Sequence, residues 1–306
     1  MGKFDPTVLG ARMLSPQESQ EIDLGILQGF LGTWESQPGS GTGWNVIAVP
    51  GNSPFTPPAD GFVLEVIPYY ETWSFTPAVI AGNRGMVDDQ TIVGLIYEQK
   101  VFSDCDTDFC NKRGFSKGTE IHAETGMLLN ITNFDSGFNV ARLGNIPHGN
   151  SILLMGNSSQ STGKFDFPSA PTGPSPVDGG FITGYGEEQY QLHPRFPEFP
   201  QADPNEQLAN DVKGQNFGQV ITLDLSSENA TGGILNTPFI TKNTDATKMS
   251  CIFWLEEVLN SNGSSSWQLQ YSQTINLVFP PSTDPNGRKF NWPHVDINTL
   301  QKVADI

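Results

Sequence analysis

Residues 267–279, WQLQYSQTINLVF, decide the fold. Trp267, Leu269, Tyr271, Ile275, Leu277 and Phe279 alternate with Gln268, Gln270, Ser272, Thr274 and Asn276, and Gln273 is the one polar residue on the apolar side. Successive side chains of an extended chain point to opposite faces, so this stretch predicts a long, half-buried strand. Weaker alternation or apolar, β-rich runs recur near 62–67, 69–76, 92–102, 119–124, 127–133, 138–142, 151–155, 217–225, 235–241 and 250–258. These predict roughly ten strands. The 32 Gly and 23 Pro spread along 306 residues fit short connections between strands better than long helices.

With 37% hydrophobic residues, including 20 Phe and 6 Trp, the chain can bury a large core. No fixed-period repeat appears, and the strand that would complete a sheet lies near the C-terminus. The expected fold is therefore all-β: one enlarged antiparallel β-barrel spanning 1–306 as a single domain. A short helix is expected before it, where Ser15, Pro16 and Glu18 form a capping box and Ile22, Ile26 and Phe30, flanked by Leu27 and Leu31, make an apolar stripe. The end, WPHVDINTLQKVADI, reads as a loop and then a short helix capped by Asp296. Proline every few residues marks two long loops, at 163–180 and 193–214, as insertions (near 157–180 and 193–214) and candidates for a lid.

Thirty-three acidic residues against 16 basic ones give a formal charge of −17, which repels nucleic acid and anionic membrane surfaces alike. The opening MGKFDPTVLG lacks a basic segment followed by an apolar one, and no run is long enough to span a bilayer. The expectation is a cytoplasmic protein with no nucleic-acid or membrane partner, its oligomeric state open. In a reducing compartment Cys105 and Cys110 would stay thiols, although their spacing allows a local bridge, and Cys251 is a buried inert thiol by default.

Between Gly29 and Pro50 two tryptophans follow glycines, with Gly39, Gly41 and Gly43 between them. A phosphate loop would need a preceding strand, a following helix and a Lys-Ser/Thr pair, all missing here, so the glycines serve a turn. Gly32-Thr33-Trp34, placed after the predicted helix and at the start of the first strand, resembles the Gly-x-Trp signature of the calycins, the lipocalin and fatty-acid-binding-protein group of ligand-holding barrels. GTGWNVIAVP (41–50), GNRG (82–85), YEQKV (97–101), IHAETGMLLN (121–130), ARLGNIPHGNS (141–151), IFWLEEV (252–258), LQYSQ (269–273) and WPHV (292–295) extend the likeness to most of the chain outside the insertions. Together they resemble a bacterial family of enlarged, nitrobindin-like barrels described as haem-binding. That resemblance implies haem held by a histidine close to the C-terminus, and His294 is the residue in the comparable place.

Only four histidines are available to carry chemistry. His148, between Pro147 and Gly149, lies in a tight turn that can hold an imidazole over a barrel mouth as an iron ligand or proton carrier, or can simply be a structural turn residue. If the ligand is haem, His148 is the first candidate for the iron and His294 the second. His122 and Glu124 share one face of a strand and can bind a metal together, or that face meets solvent. His193 reads as a surface or lid residue. Asp104, Asp106 and Asp108 begin like a calcium loop, but Phe109 and Phe115 stand where glycine and the bidentate glutamate belong. Glu71, Glu98 and Glu256 lie within strands and would suit proton transfer if they enter a cavity. No Gly-x-Ser-x-Gly elbow or zincin motif is present.

The leading expectation is a barrel holding haem or another hydrophobic small molecule among Trp73, Tyr97, Phe253 and Tyr271. The alternative is an isomerase or lyase acting on a small organic substrate through His148 or a His122/Glu124 metal site.

Overall fold

The computed structural model describes residues 23–50, 62–78, 92–131, 137–177, 196–279 and 289–305. The capping box at Ser15–Glu18 and His193 lie outside them.

Among the described residues thirteen strands form one sheet. They are β1 (Gly32–Glu35), β2 (Gly43–Pro50), β3 (Phe62–Ala78), β4 (Ile92–Ser103), β5 (Glu120–Ile131), β6 (Val140–Ile146), β7 (Asn150–Thr162), β8 (Ser175–Pro176), β9 (Phe217–Ser226), β10 (Gly233–Asn236), β11 (Asp245–Leu259), β12 (Ser265–Phe279) and β13 (Phe290–Ala304). Neighbours run antiparallel in the order β13-β12-β11-β9-β7-β6-β5-β4-β3, and the ring closes because β1 and β2 each bridge β3 and β13. Counted with β1 and β2 sharing one place, this is a closed ten-stranded barrel.

The alternation in 267–279 holds on the apolar side, where Leu269 and Tyr271 join the core and Ile275 packs against it. The opposite face is not solvated. Gln268, Gln270 and Ser272 are buried, and Gln270 Nε2 donates to the Leu208 carbonyl (3.2 Å) and to Thr299 Oγ1 (2.7 Å).

Several expectations are corrected. The C-terminal helix is strand β13, whose full-length pairing with β12 outweighs a single candidate cap at Asp296. The run 235–241 splits into β10 and a short helix, α3 (Pro238–Asn243), where Pro238 cannot donate to a ladder but suits a first helical position. Residues 157–162 belong to β7, and the second insertion contains helix α2 (Asn205–Asp211). Cys105 and Cys110 are bridged, across the start of helix α1 (Asp108–Arg113). Asp104 accepts from Gly39 N (2.6 Å) and pairs with Lys117 (2.7 Å), while Asp108 lies 3.7 Å from Lys112.

The described parts of the proline-rich segments form no lid. Phe165, Phe167 and Ala170, with Phe196, Phe199 and Leu208, pack on the barrel's outer wall against Trp44, Val46, Trp254, Val295 and Ile297. Trp44 stacks on Phe199 with centroids 4.2 Å apart. Irregular chain gains stability here by covering apolar wall that would otherwise meet water.

The barrel's two ends differ. At one, a 3-10 helix (Gly25–Phe30) inserts Leu27 and Phe30 beside Trp34, all three fully buried, and Trp34 Nε1 donates to the Phe30 carbonyl (2.8 Å). That end is a solid plug, as the Gly-x-Trp reading anticipates.

Glu256 lies within β11 and is fully buried, accepting from Gln268 Nε2 (2.7 Å) through one oxygen. Burial lifts its pKa to about 8, against which the Gln268 hydrogen bond pulls only weakly. Between the ordinary value of 4.5 and about 8 the folded protein holds a proton that the unfolded chain has lost, so this residue makes stability fall as pH rises through that window. Glu256→Gln should melt higher than the parent at pH above 8, with the difference vanishing below pH 4.5, as read by thermal denaturation across pH.

Candidate functional site

The open half of the barrel, away from Trp34, encloses a cavity of about 380 Å³. Its wall is isoleucine-rich, with Ile47, Ile121, Ile152 and Ile275 from the barrel and Ile234 and Ile240 from β10 and α3. These last two reach the cavity because the chain after β9 doubles back, pairs β10 with the start of β7 and lays α3 over the rim. Gly149, at φ +107°, lets the β6–β7 turn approach this segment, since a Cβ there would collide with Thr237 Oγ1.

Three of the four histidines meet at this cavity. His148 occupies the exposed turn at the rim, with its Nε2 3.5 Å from His122 Nδ1. Burial against the wall and the neighbouring His122 and His294 push its pKa below the ordinary histidine value, so the imidazole is neutral at physiological pH. His122 is only 20% exposed and projects inward with Glu124, as two residues of like parity on β5 must. The solvated reading of this pair is therefore replaced by an interior one. His294 and Asp296 repeat the same spacing on β13, with Nε2 to Oδ2 at 3.3 Å against 3.7 Å for His122 Nε2 to Glu124 Oε2.

A buried polar chain joins the two pairs. Arg142, fully buried in β6, donates from Nη2 to Glu124 Oε1 (2.9 Å), from Nη1 to Gln273 Oε1 (3.1 Å) and Cys251 Sγ (3.1 Å), and from Nε to Tyr97 OH (3.1 Å). Tyr97 OH in turn donates to Glu124 Oε1. Gln273 Nε2 donates to Asp296 Oδ2 (3.2 Å), and Asn45 Nδ2 donates to Asp296 Oδ1 (2.6 Å) while lying 2.7 Å from His294 Nε2. Burial would raise Glu124, but the Arg142 guanidinium, His122 and the Tyr97 hydroxyl hold it at about 2. Burial likewise opposes ionisation of Asp296, and His294 overcomes it. Both carboxyls are ionised at neutral pH. Gly144 makes room for this cluster, because a Cβ there would strike Glu124 Oε1.

The expected aromatic lining is corrected. Tyr271 faces the cavity, but Trp73, Tyr97 and Phe253 are fully buried below it, with their rings 5.3–5.6 Å from the Arg142 guanidinium carbon. Beside them Glu71 accepts from Trp73 Nε1, Gln99 Nε2, Tyr271 OH and Asn298 Nδ2, at 2.6–2.8 Å. Burial still lifts it above the usual carboxylate range. Glu98 points outward to Lys100. Among the described residues no group of three or more His, Cys, Asp or Glu side chains is arranged to hold a metal ion.

Sequence reasoning missed Arg142, Gln273 as its partner, and Asp296 as anything but a cap. A lone arginine in the apolar run VARLGNI was the available signal, since an arginine flanked by strand apolars must be exposed or paired.

No protein-family model and no curated protein matches the chain. Among solved structures, the crystal structure of Rv2717c from M. tuberculosis is similar over 92% of this chain and 100% of that one, at 17% identity and a TM-score of 0.42. No helix among the described residues is long and apolar enough to cross a membrane.

Arg142→Leu should cost about 3–5 kcal/mol of stability, because it strands Glu124 as an unpaired buried charge. Arg142→Leu with Glu124→Gln should recover a large part of that loss in the same denaturant titrations.

Proposed function

We propose that this protein binds a small, largely apolar molecule inside its barrel, with the head of that molecule against the histidine–carboxylate floor. The supporting observation is the division of the interior: one half is solid, while the other keeps a 380 Å³ cavity with an aliphatic wall and a few convergent polar groups. Sites for small ligands commonly have this size and make-up. A cavity of this kind is costly to maintain unless something fills it, since voids forfeit packing.

Haem is the narrower form of the proposal, resting on the resemblance to nitrobindin-like barrels. The fit of the residues is partial. His148 is neutral and at the rim, as an axial ligand would need, and His294 is the second candidate. The Nε2 of His294, however, already faces Asn45 and Asp296, and the large aromatics that would flank a porphyrin are packed in the core. Titration with hemin should give a sharp Soret band that His148→Ala or His294→Ala abolishes, and no band in the parent protein removes haem while leaving the binding proposal standing. Native mass spectrometry of freshly purified protein should reveal a bound small molecule.

A second reading, acid–base catalysis by an isomerase or lyase, is favoured by the paired His122–Glu124 and His294–Asp296 facing one cavity. His122 with Glu124 remains the candidate for a metal-assisted version, and metal analysis of the purified protein tests it.

A further inference from the structure

Resting on the binding reading above, we infer that the cavity selects an apolar molecule with a hydrogen-bond-donating, positively charged head, an alkylammonium being the simplest, over an apolar carboxylate. The unpaired atoms of the floor carry this inference. Gln99 Oε1 and Asn45 Oδ1 are buried oxygens on cavity-lining residues with no hydrogen-bond partner, and Glu124 Oε2 has only His122 Nε2 near it, at 3.7 Å; the Glu124 and Gln99 residues are only 2% and 1% exposed. All three are acceptors. The amide nitrogens of Gln99 and Asn45 are engaged elsewhere, with Glu71 Oε2 and Asp296 Oδ1, so the free oxygens are not a matter of amide orientation.

Unpaired buried acceptors cost free energy that a donor-bearing ligand recovers and a carboxylate cannot. The charges point the same way. Arg142 lies against the floor, but four of its five N–H donors are directed at Glu124, Tyr97, Gln273 and Cys251, and aromatic rings surround it. Against this spent positive charge stand two carboxylates, Glu124 and Asp296, the second partnered by His294. The chain's formal charge of −17 also draws cations towards the molecule.

The test compares decylamine, decan-1-ol and decanoate, which share one apolar body and differ in the head, by calorimetric titration at neutral pH. The expected order is amine, alcohol, acid, with the amine at least about tenfold tighter than the acid. Asp296→Asn, checked for folding by circular dichroism, should shrink the amine-to-acid ratio several-fold without abolishing decanol binding. If that variant does not fold, the parent comparison and Gln99→Met, which removes an acceptor without changing charge, decide the matter; Gln99→Met should weaken the amine more than the alcohol. Decanoate binding as tightly as decylamine, or equal binding of all three, overturns the inference and leaves a non-selective binding barrel. Binding of none of the three overturns the binding reading and this inference with it.

Discussion

The buried pairing of Arg142 with Glu124 is the constraint around which the barrel interior is arranged. A guanidinium placed among Trp73, Tyr97 and Phe253 loses its water, and in an apolar barrel that loss is tolerable only if its charge is paired and its nitrogens find partners. Glu124, Tyr97, Gln273 and Cys251 supply those partners from four other strands. Their positions are thereby tied together across the barrel. Such a pair contributes less to net stability than its Coulomb attraction implies, but it sets which residues face inward and where the solid core stops.

The cavity begins where that cluster ends. Gln273 passes the connection to Asp296, and through it to His294 and Asn45, so the floor of the cavity is the upper surface of the same network. Glu71 anchors a parallel polar group through Tyr271 and Gln99. Ligand recognition and core stability therefore share residues, and changes at Arg142 or Glu124 act on both. The unfilled acceptors belong to side chains held rigidly by this packing, which favours a pre-formed site over one that reshapes around its ligand.

The proline-rich segments serve a different purpose from the one their composition suggests. Their aromatic residues cover an apolar outer wall, which is why β2, β11 and β13 are apolar on both faces in part of their length. Proline denies these segments a place in the sheet but not in its packing, and the covered wall explains buried glutamines and the proton-retaining Glu256 on strands that alternate as if one side were wet.

The sequence alone determined the architecture. Period-two alternation, the density of Gly and Pro and the Gly-Thr-Trp at 32–34 were enough for a single closed β-barrel with an apolar plug, because local side-chain parity is a property of the extended chain itself. It also made His122 and Glu124 share a face, and His148 a turn residue. Only the tertiary structure decided which half of the interior is filled, that Arg142 is inside, that Asp296 belongs to a strand, and that Cys105 and Cys110 meet. Each of these depends on contacts between residues far apart in the chain, where the partner that neutralises a charge or fills a space is set by strand register and ring closure, which parity along one strand cannot reveal.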